Sequence, residues 1–264
     1  MKKIVALFAL VGLTLSSLYA GDVSAYLTGA HMDATSARKA LKSGGYEIVA
    51  TYDSVKDGQT IVFTNSDLKA QASKENRAHA AVLRLFVDNQ ENKISLTNPV
   101  YFGRAFMQDD YNENVYNAQL EKLNGLFPGL TGTQDTLDEG DISGYRFMFG
   151  MPYYEDSETL AKGSNSELLS KLNKDNVIFE LKISDNSTLV GYKLSDATSG
   201  FVSTIGRANG AVLPYCISIE DGKATALAAK YYLAVSYPKL SMGDFMGISE
   251  VPDQILAELE KAFK

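Results

Sequence analysis

Tryptophan is absent from the 264 residues, cysteine occurs once and histidine twice. The single thiol, Cys216, can form no disulfide within the chain, so the fold has no covalent staple and must rely on its buried apolar side chains. Cys216 sits in an apolar stretch and reads as a core thiol, since a reactive thiolate needs exposure and nearby positive charge. His31 and His79, the only imidazoles, lie near the starts of different elements and read as surface or cap residues. Basic residues are also short: 25 Lys and Arg against 32 Asp and Glu give a formal net charge of −7. That balance provides no electrostatic footprint for a phosphate backbone or an anionic lipid surface, so nucleic acid is not an expected partner. The G-x-S-x-G elbow, the H-E-x-x-H helix, the strand-borne G-x-G-x-x-G and the phosphate-loop lysine are all missing. The sequence therefore offers no catalytic residue, no metal ligand set and no cofactor.

What is present begins with an address. Met1-Lys2-Lys3 supplies a positive start, Ile4 to Leu15 is apolar apart from Gly12 and Thr14, and Ser16 to Ala20 leads to a cut before Gly21. Residues 1–20 are expected to be a cleavable secretory leader, with a cut after Ala25 as the alternative. The apolar run is shorter than the roughly 20 residues that cross a bilayer, and no later segment is apolar enough to span one as a helix. A periplasmic or secreted mature chain is expected. Loss of Lys2 and Lys3 with the leader takes the formal charge from −7 to −9.

Beyond the leader the chain repeats itself. One constant shift carries Ala81-Val82-Leu83 onto Ala211-Val212-Leu213, Lys93 onto Lys223 and Tyr101-Phe102 onto Tyr231-Tyr232. Further out, with small gaps, Ser66-Asp67 matches Ser195-Asp196, Leu41 matches Leu172, and Ser24-Ala25-Tyr26 matches Ser143-Gly144-Tyr145. Periodicity and turn residues predict the same alternation of strands, hairpins and helices in each half. The first half has strand pairs turning through Lys56-Asp57-Gly58, a helix over 35–42 stopped by Gly44-Gly45, and helices over 66–77 and 114–123. The second has strands over 145–151, 177–183, 189–194, 212–219 and 224–228, and helices over 166–172, near 200–207 and over 252–263. The reading is an α+β fold of two similar units, each an antiparallel sheet with helices on one face, arranged as a pseudo-symmetric pair. Residues 21–128 form the first unit, 129–143 a linker and 144–264 the second. Val82 to Val87 and Val212 to Ile219 are nearly continuous apolar strands, which need cover on both faces; the sister unit would supply the second cover.

The words Ala40-Leu41-Lys42-Ser43-Gly44-Gly45-Tyr46, Phe63-Thr64-Asn65, Leu83 to Asp88 and Ile94-Ser95-Leu96-Thr97-Asn98-Pro99 with Tyr101 resemble the domain of unknown function 302 family over about residues 23–107. The resemblance implies a small α+β fold without an assigned activity, and a tandem copy that reproduces dimer pairing within one chain. The second half departs from the pattern by carrying Ala229-Lys230 where the first has Asn98-Pro99.

Tyrosine is plentiful, with 15 copies, and combines an apolar face with a polar tip suited to pockets and interfaces. Tyr101 and Arg104 fall one turn apart after Asn98-Pro99, where a guanidinium beside a phenol could hold an anionic ligand. Asn65 and Asn98 at strand ends and Tyr231 in the second copy complete the candidate ligand-binding set. Met148 and Met151 point to opposite faces of the expected strand and read as packing residues rather than a copper site. The leading expectation is a non-catalytic envelope protein that binds a small molecule or protein partner at a groove between its units. The alternative is an enzyme of unfamiliar type using Asp, Glu, Tyr and Arg groups at that groove.

Overall fold

The computed structural model describes residues 21–264; the expected leader, residues 1–20, lies outside them. The first half runs β1 (Asp22–Ser24), β2 (Tyr26–Ala30), α1 (Ala34–Ser43), β3 (Glu47–Val55), β4 (Gly58–Thr64), α2 (Ser66–Ala72), β5 (Leu83–Asp88), β6 (Lys93–Thr97), α3 (Pro99–Met107) and α4 (Glu113–Leu126). The rest runs β7 (Thr131–Gly132), β8 (Thr136–Asp138), β9 (Glu158–Lys162), α5 (Asn165–Lys171), β10 (Val177–Lys182), β11 (Ser187–Tyr192), α6 (Asp196–Ser199), α7 (Phe201–Ile205), β12 (Tyr215–Glu220), β13 (Lys223–Ala226), α8 (Ala229–Ser236), α9 (Met242–Gly247) and α10 (Val251–Lys261).

Local chemistry accounts for the boundaries. Asp33 caps α1 by accepting from the Thr35 and Ser36 N–H groups at 2.9 and 3.0 Å, and Gly45, at φ 82°, supplies the left-handed residue beyond the helix end. Asp57 (φ 56°) opens the β3–β4 turn, and Asp221-Gly222 (φ 46° and 77°) forms the β12–β13 turn, conformations that Asp and Gly tolerate.

Both main sheets are antiparallel throughout. The first has the order β3-β4-β5-β6-β2-β7 and the second β10-β11-β12-β13-β9. Apart from β7, the two orders are the same when matched by place in each half. The chain is thus α+β with antiparallel sheets, as its periodicity predicts. Every residue of β5 is buried, as are Tyr215 to Ile219 in β12.

Three expectations about boundaries need correction. Residues 145–151 form turns and bends, and the strand that closes the second sheet is β9, so the match of Ser24-Ala25-Tyr26 to Ser143-Gly144-Tyr145 is not a structural one. Residues 129–143 are more than a tether: β7 pairs with β2, extending the first sheet, and β8 pairs with β1 in a separate two-stranded ladder. The helix expected near 200–207 is two short helices, α6 and α7, in sequence around Gly200. His79 is also buried rather than on the surface, in a short 3-10 turn, Ala78–Ala81.

Each half inserts a 3-10 turn against the other's sheet. Ala78–Ala81 packs on β11 and β12, and Arg207–Val212 packs on β3, β4, β5 and β6. Arg207 reaches the fully buried carboxylate of Asp88 with Nε at 3.0 Å and Nη2 at 2.9 Å, and Thr60 Oγ1 donates to Gly210 O at 2.8 Å. Tyr101 Oη donates to Val235 O at 2.7 Å, and Tyr231 Oη to Ala105 O at 3.1 Å.

Candidate functional site

The five residues singled out from sequence do not gather around one cavity, and each has a protein partner. Asn65 caps α2 at the Leu68 N–H, 2.9 Å, and donates to Gln119 Oε1 at 2.7 Å. Asn98 caps α3 at the Val100 N–H, 3.1 Å, and donates to Ser24 O at 2.8 Å. Tyr101 and Tyr231 are buried, with their hydroxyls on the carbonyls of the other half. Arg104 pairs with Glu139 and lies over the Tyr111 ring, 4.4 Å from its centroid. None of the five lines the cavities described next.

A groove does run between the halves, with other residues on its walls. It is open and polar, about 500 Å³, between the Thr51–Lys56 stretch at the end of β3 and a wall that includes Lys193, Asp196, Ser199 and Ser203.

The more enclosed cavity belongs to the second half. Its cause is visible in a comparison of two helix starts. At α3, Asn98 is the capping residue and Pro99 the first helical one, so the side chain of the former satisfies an N–H and the latter has none to satisfy. At α8 those places are held by Ala228 and Ala229, one position earlier than the sequence comparison had set them. Ala228 has no capping side chain, and the Ala229 and Lys230 N–H groups find no protein acceptor among the described residues.

This bare helix start opens into a cavity of about 370 Å³, within the range of small-molecule sites. Met151, Pro152 and Leu227 supply apolar surface on one side and Ile255, Leu256 and Leu259 of α10 on the other. Asp156, Glu158, Asp253 and Lys230 are its charged lining, with Lys230 Nζ 4.0 Å from Asp253. Two directions of polarity result: the positive end of α8 with Lys230, and the three carboxylates. Chemically the arrangement can hold an apolar body by its surface and a charged head at its edge. No residue of the first half lines it. Sequence reasoning missed it because its walls come from three separated segments; the absence of a cap at Ala228 was its one local trace.

Among the described residues no group of three His, Cys, Asp or Glu side chains is placed to hold a metal ion, and no helix is long and apolar enough to cross a membrane. No family model, no curated protein and no solved structure matches the chain.

Proposed function

We propose that the protein is an exported, non-catalytic binding module that takes a small amphiphilic molecule into the cavity at the start of α8. The single observation that carries this reading is the 370 Å³ cavity with apolar walls and a charged edge at an uncapped helix end. A carboxylate or phosphate head would sit against the Ala229 and Lys230 N–H groups, where the helix end and Lys230 favour negative charge and Asp156, Glu158 and Asp253 oppose it. The apolar body would lie along Met151, Pro152 and α10. Export to the periplasm or beyond rests on the leader sequence. The proposed pseudo-symmetric packing of two copies draws support from the shared strand order of the two sheets and the reciprocal tyrosine bonds.

The test is thermal stabilisation of the full mature chain across a panel of fatty, aromatic and amino-acid-derived carboxylates and phosphates, with substrate and product analysis of each mixture. Leu256, half-buried on the cavity wall, is the position to block. A ligand that raises the midpoint of the parent but not of Leu256→Trp, and is recovered unchanged, supports binding in this cavity. Turnover, or stabilisation that Leu256→Trp leaves intact, overturns it.

A further inference from the structure

Arg84 lies in β5 with 5% of its surface exposed, on the seam between the halves. Its Nη2 donates to Cys216 Sγ at 3.0 Å and to Pro214 O at 3.4 Å, while its Nε has no partner among the described residues. A guanidinium does not shed its proton, so a full positive charge stands inside the protein. Buried charges are normally paired with an opposite one. The titratable groups facing Arg84 come from four elements around it: His79 in the 3-10 turn, Tyr26 in β2, Tyr215 and Cys216 in β12, and Tyr232 in α8. None supplies an anion. Burial pushes the three tyrosines up, Tyr232 to about 12, and pushes up the Cys216 thiol although Arg84 draws it down. Burial, with the charge of Arg84, pushes His79 down to about 3, so the imidazole is neutral and can donate one N–H.

Beside these groups is a small cavity of about 10 Å³, at the threshold of roughly 10–15 Å³ that admits one water-sized occupant. Arg84, His79 and Cys216 are its polar side; Phe106, Leu227 and Tyr232 are apolar surface around it. The Tyr232 hydroxyl is engaged elsewhere, on Val212 O at 3.0 Å. The repeat explains why there is room here. The position matching Cys216 in the first half is Phe86, whose ring presses against Gly210, and the position matching Arg84 in the second half is Pro214. A bulky ring fills one side of the seam; a thiol and an arginine leave space on the other.

We propose that this cavity is a site for one small monovalent anion, of the halide class with chloride as the physiological candidate, held by the free N–H groups of Arg84 with help from His79 and the Cys216 thiol. The anion would neutralise the buried guanidinium and join the two halves, since Arg84 and His79 come from one and Cys216 from the other. Sulfate and organic anions are too large for it.

The test uses the full mature chain, dialysed into gluconate and titrated with chloride at constant ionic strength. Above the binding constant, each tenfold rise in chloride should raise the thermal midpoint by about 3–6 °C. Arg84→Met should abolish that dependence. If Arg84→Met does not fold, crystals of the parent grown in bromide decide the matter by anomalous scattering, with the peak expected beside Arg84 Nε. A midpoint indifferent to chloride, an equal response from Arg84→Met, or bromide crystals without that peak would overturn the proposal. So would thiolate absorbance from Cys216 at neutral pH in halide-free buffer, because the sulfur would then be the missing anion.

Discussion

Tyr101 and Tyr231 answer each other across the seam: the shift that carries Tyr101 onto Tyr231 also carries Ala105, the acceptor of Tyr231, onto Val235, the acceptor of Tyr101. They link two stretches of one chain, and both hydroxyls satisfy buried carbonyls at the last turns of α3 and α8.

Tyr101→Phe leaves the buried Val235 O without its side-chain donor and should lower stability by about 1–2 kcal/mol in urea denaturation, and Tyr231→Phe should cost less because Gln108 Nε2 also donates to Ala105 O at 2.6 Å. Tyr215→Phe, which loses a bond to Leu227 O within the second half, is the control. When residues 21–140 and 141–264 are produced separately and mixed, the first two substitutions should weaken their association and the control should not. Equal association for all three would remove the seam role of the tyrosines.

The Asp88–Arg207 pair ties the first half's β5–β6 turn to the second half. Burial alone would raise the Asp88 carboxyl, but Arg207 and the Gln90 and Glu91 N–H groups hold it below the usual carboxylate value. A depressed carboxyl contributes stability above its unfolded value near 3.8, and that contribution is lost as the pH falls through the folded value. Arg207→Met should cost about 3 kcal/mol at pH 7, because the carboxylate it leaves is fully buried. The difference between parent and variant should shrink in urea titrations below pH 3.8; a constant difference would show that Arg207 acts through packing.

His79 predicts a second acid effect with a different window. Its folded value, about 3, lies below the unfolded 6.5, so between these limits the unfolded chain binds the extra proton. Stability should therefore fall as the pH drops from 6.5 towards 3, with a slope contribution of up to about 1.4 kcal/mol per pH unit. In halide-free buffer His79→Gln should flatten that slope. An unchanged slope would place the proton elsewhere.

Gly210 makes a steric prediction. A Cβ there would lie 2.5 to 2.9 Å from three ring carbons of Phe86, nearer than any real contact. Gly210→Ala should destabilise by about 1–3 kcal/mol, and Phe86→Leu in the same chain should recover part of the loss. Additive effects in calorimetry would mean that the two positions do not meet.

The antiparallel α+β class was legible because hairpin turns leave short, local marks: Asp57-Gly58 and Asp221-Gly222 fixed their strand pairs, and Asn65 and Asn98 marked helix starts. Tyr145, Phe147 and Phe149 misled by alternating as a strand does. Phe149 is 92% exposed, and Phe147 stacks on Phe245 at 4.8 Å, so the alternation belongs to an apolar surface. The true strand β9 has mixed exposure at a sheet edge and few apolar residues, so periodicity could not find it. Tyr101 and Arg104 were adjacent on a helix as expected, but adjacency could not say that one faces the seam and the other Glu139. Nor could one sequence window show that Met151, Ala228 and Leu259 meet around one cavity.

The stitching of β7 onto β2 and of β8 onto β1 takes slack out of the connection between halves. Only the stretch from Glu139 to Ser157 lies between β8 and β9, and inside it Tyr154 Oη donates to Asn76 O at 2.5 Å. Domain swapping exchanges this seam for the same seam made with a second molecule, and strained short hinges invite it while rigid ones oppose it. This connector is anchored at both ends and in its middle to its own chain, so each half meets its partner at the high local concentration of a short tether. Exchange between molecules is disfavoured, and the seam closes on itself before a neighbour can compete for it.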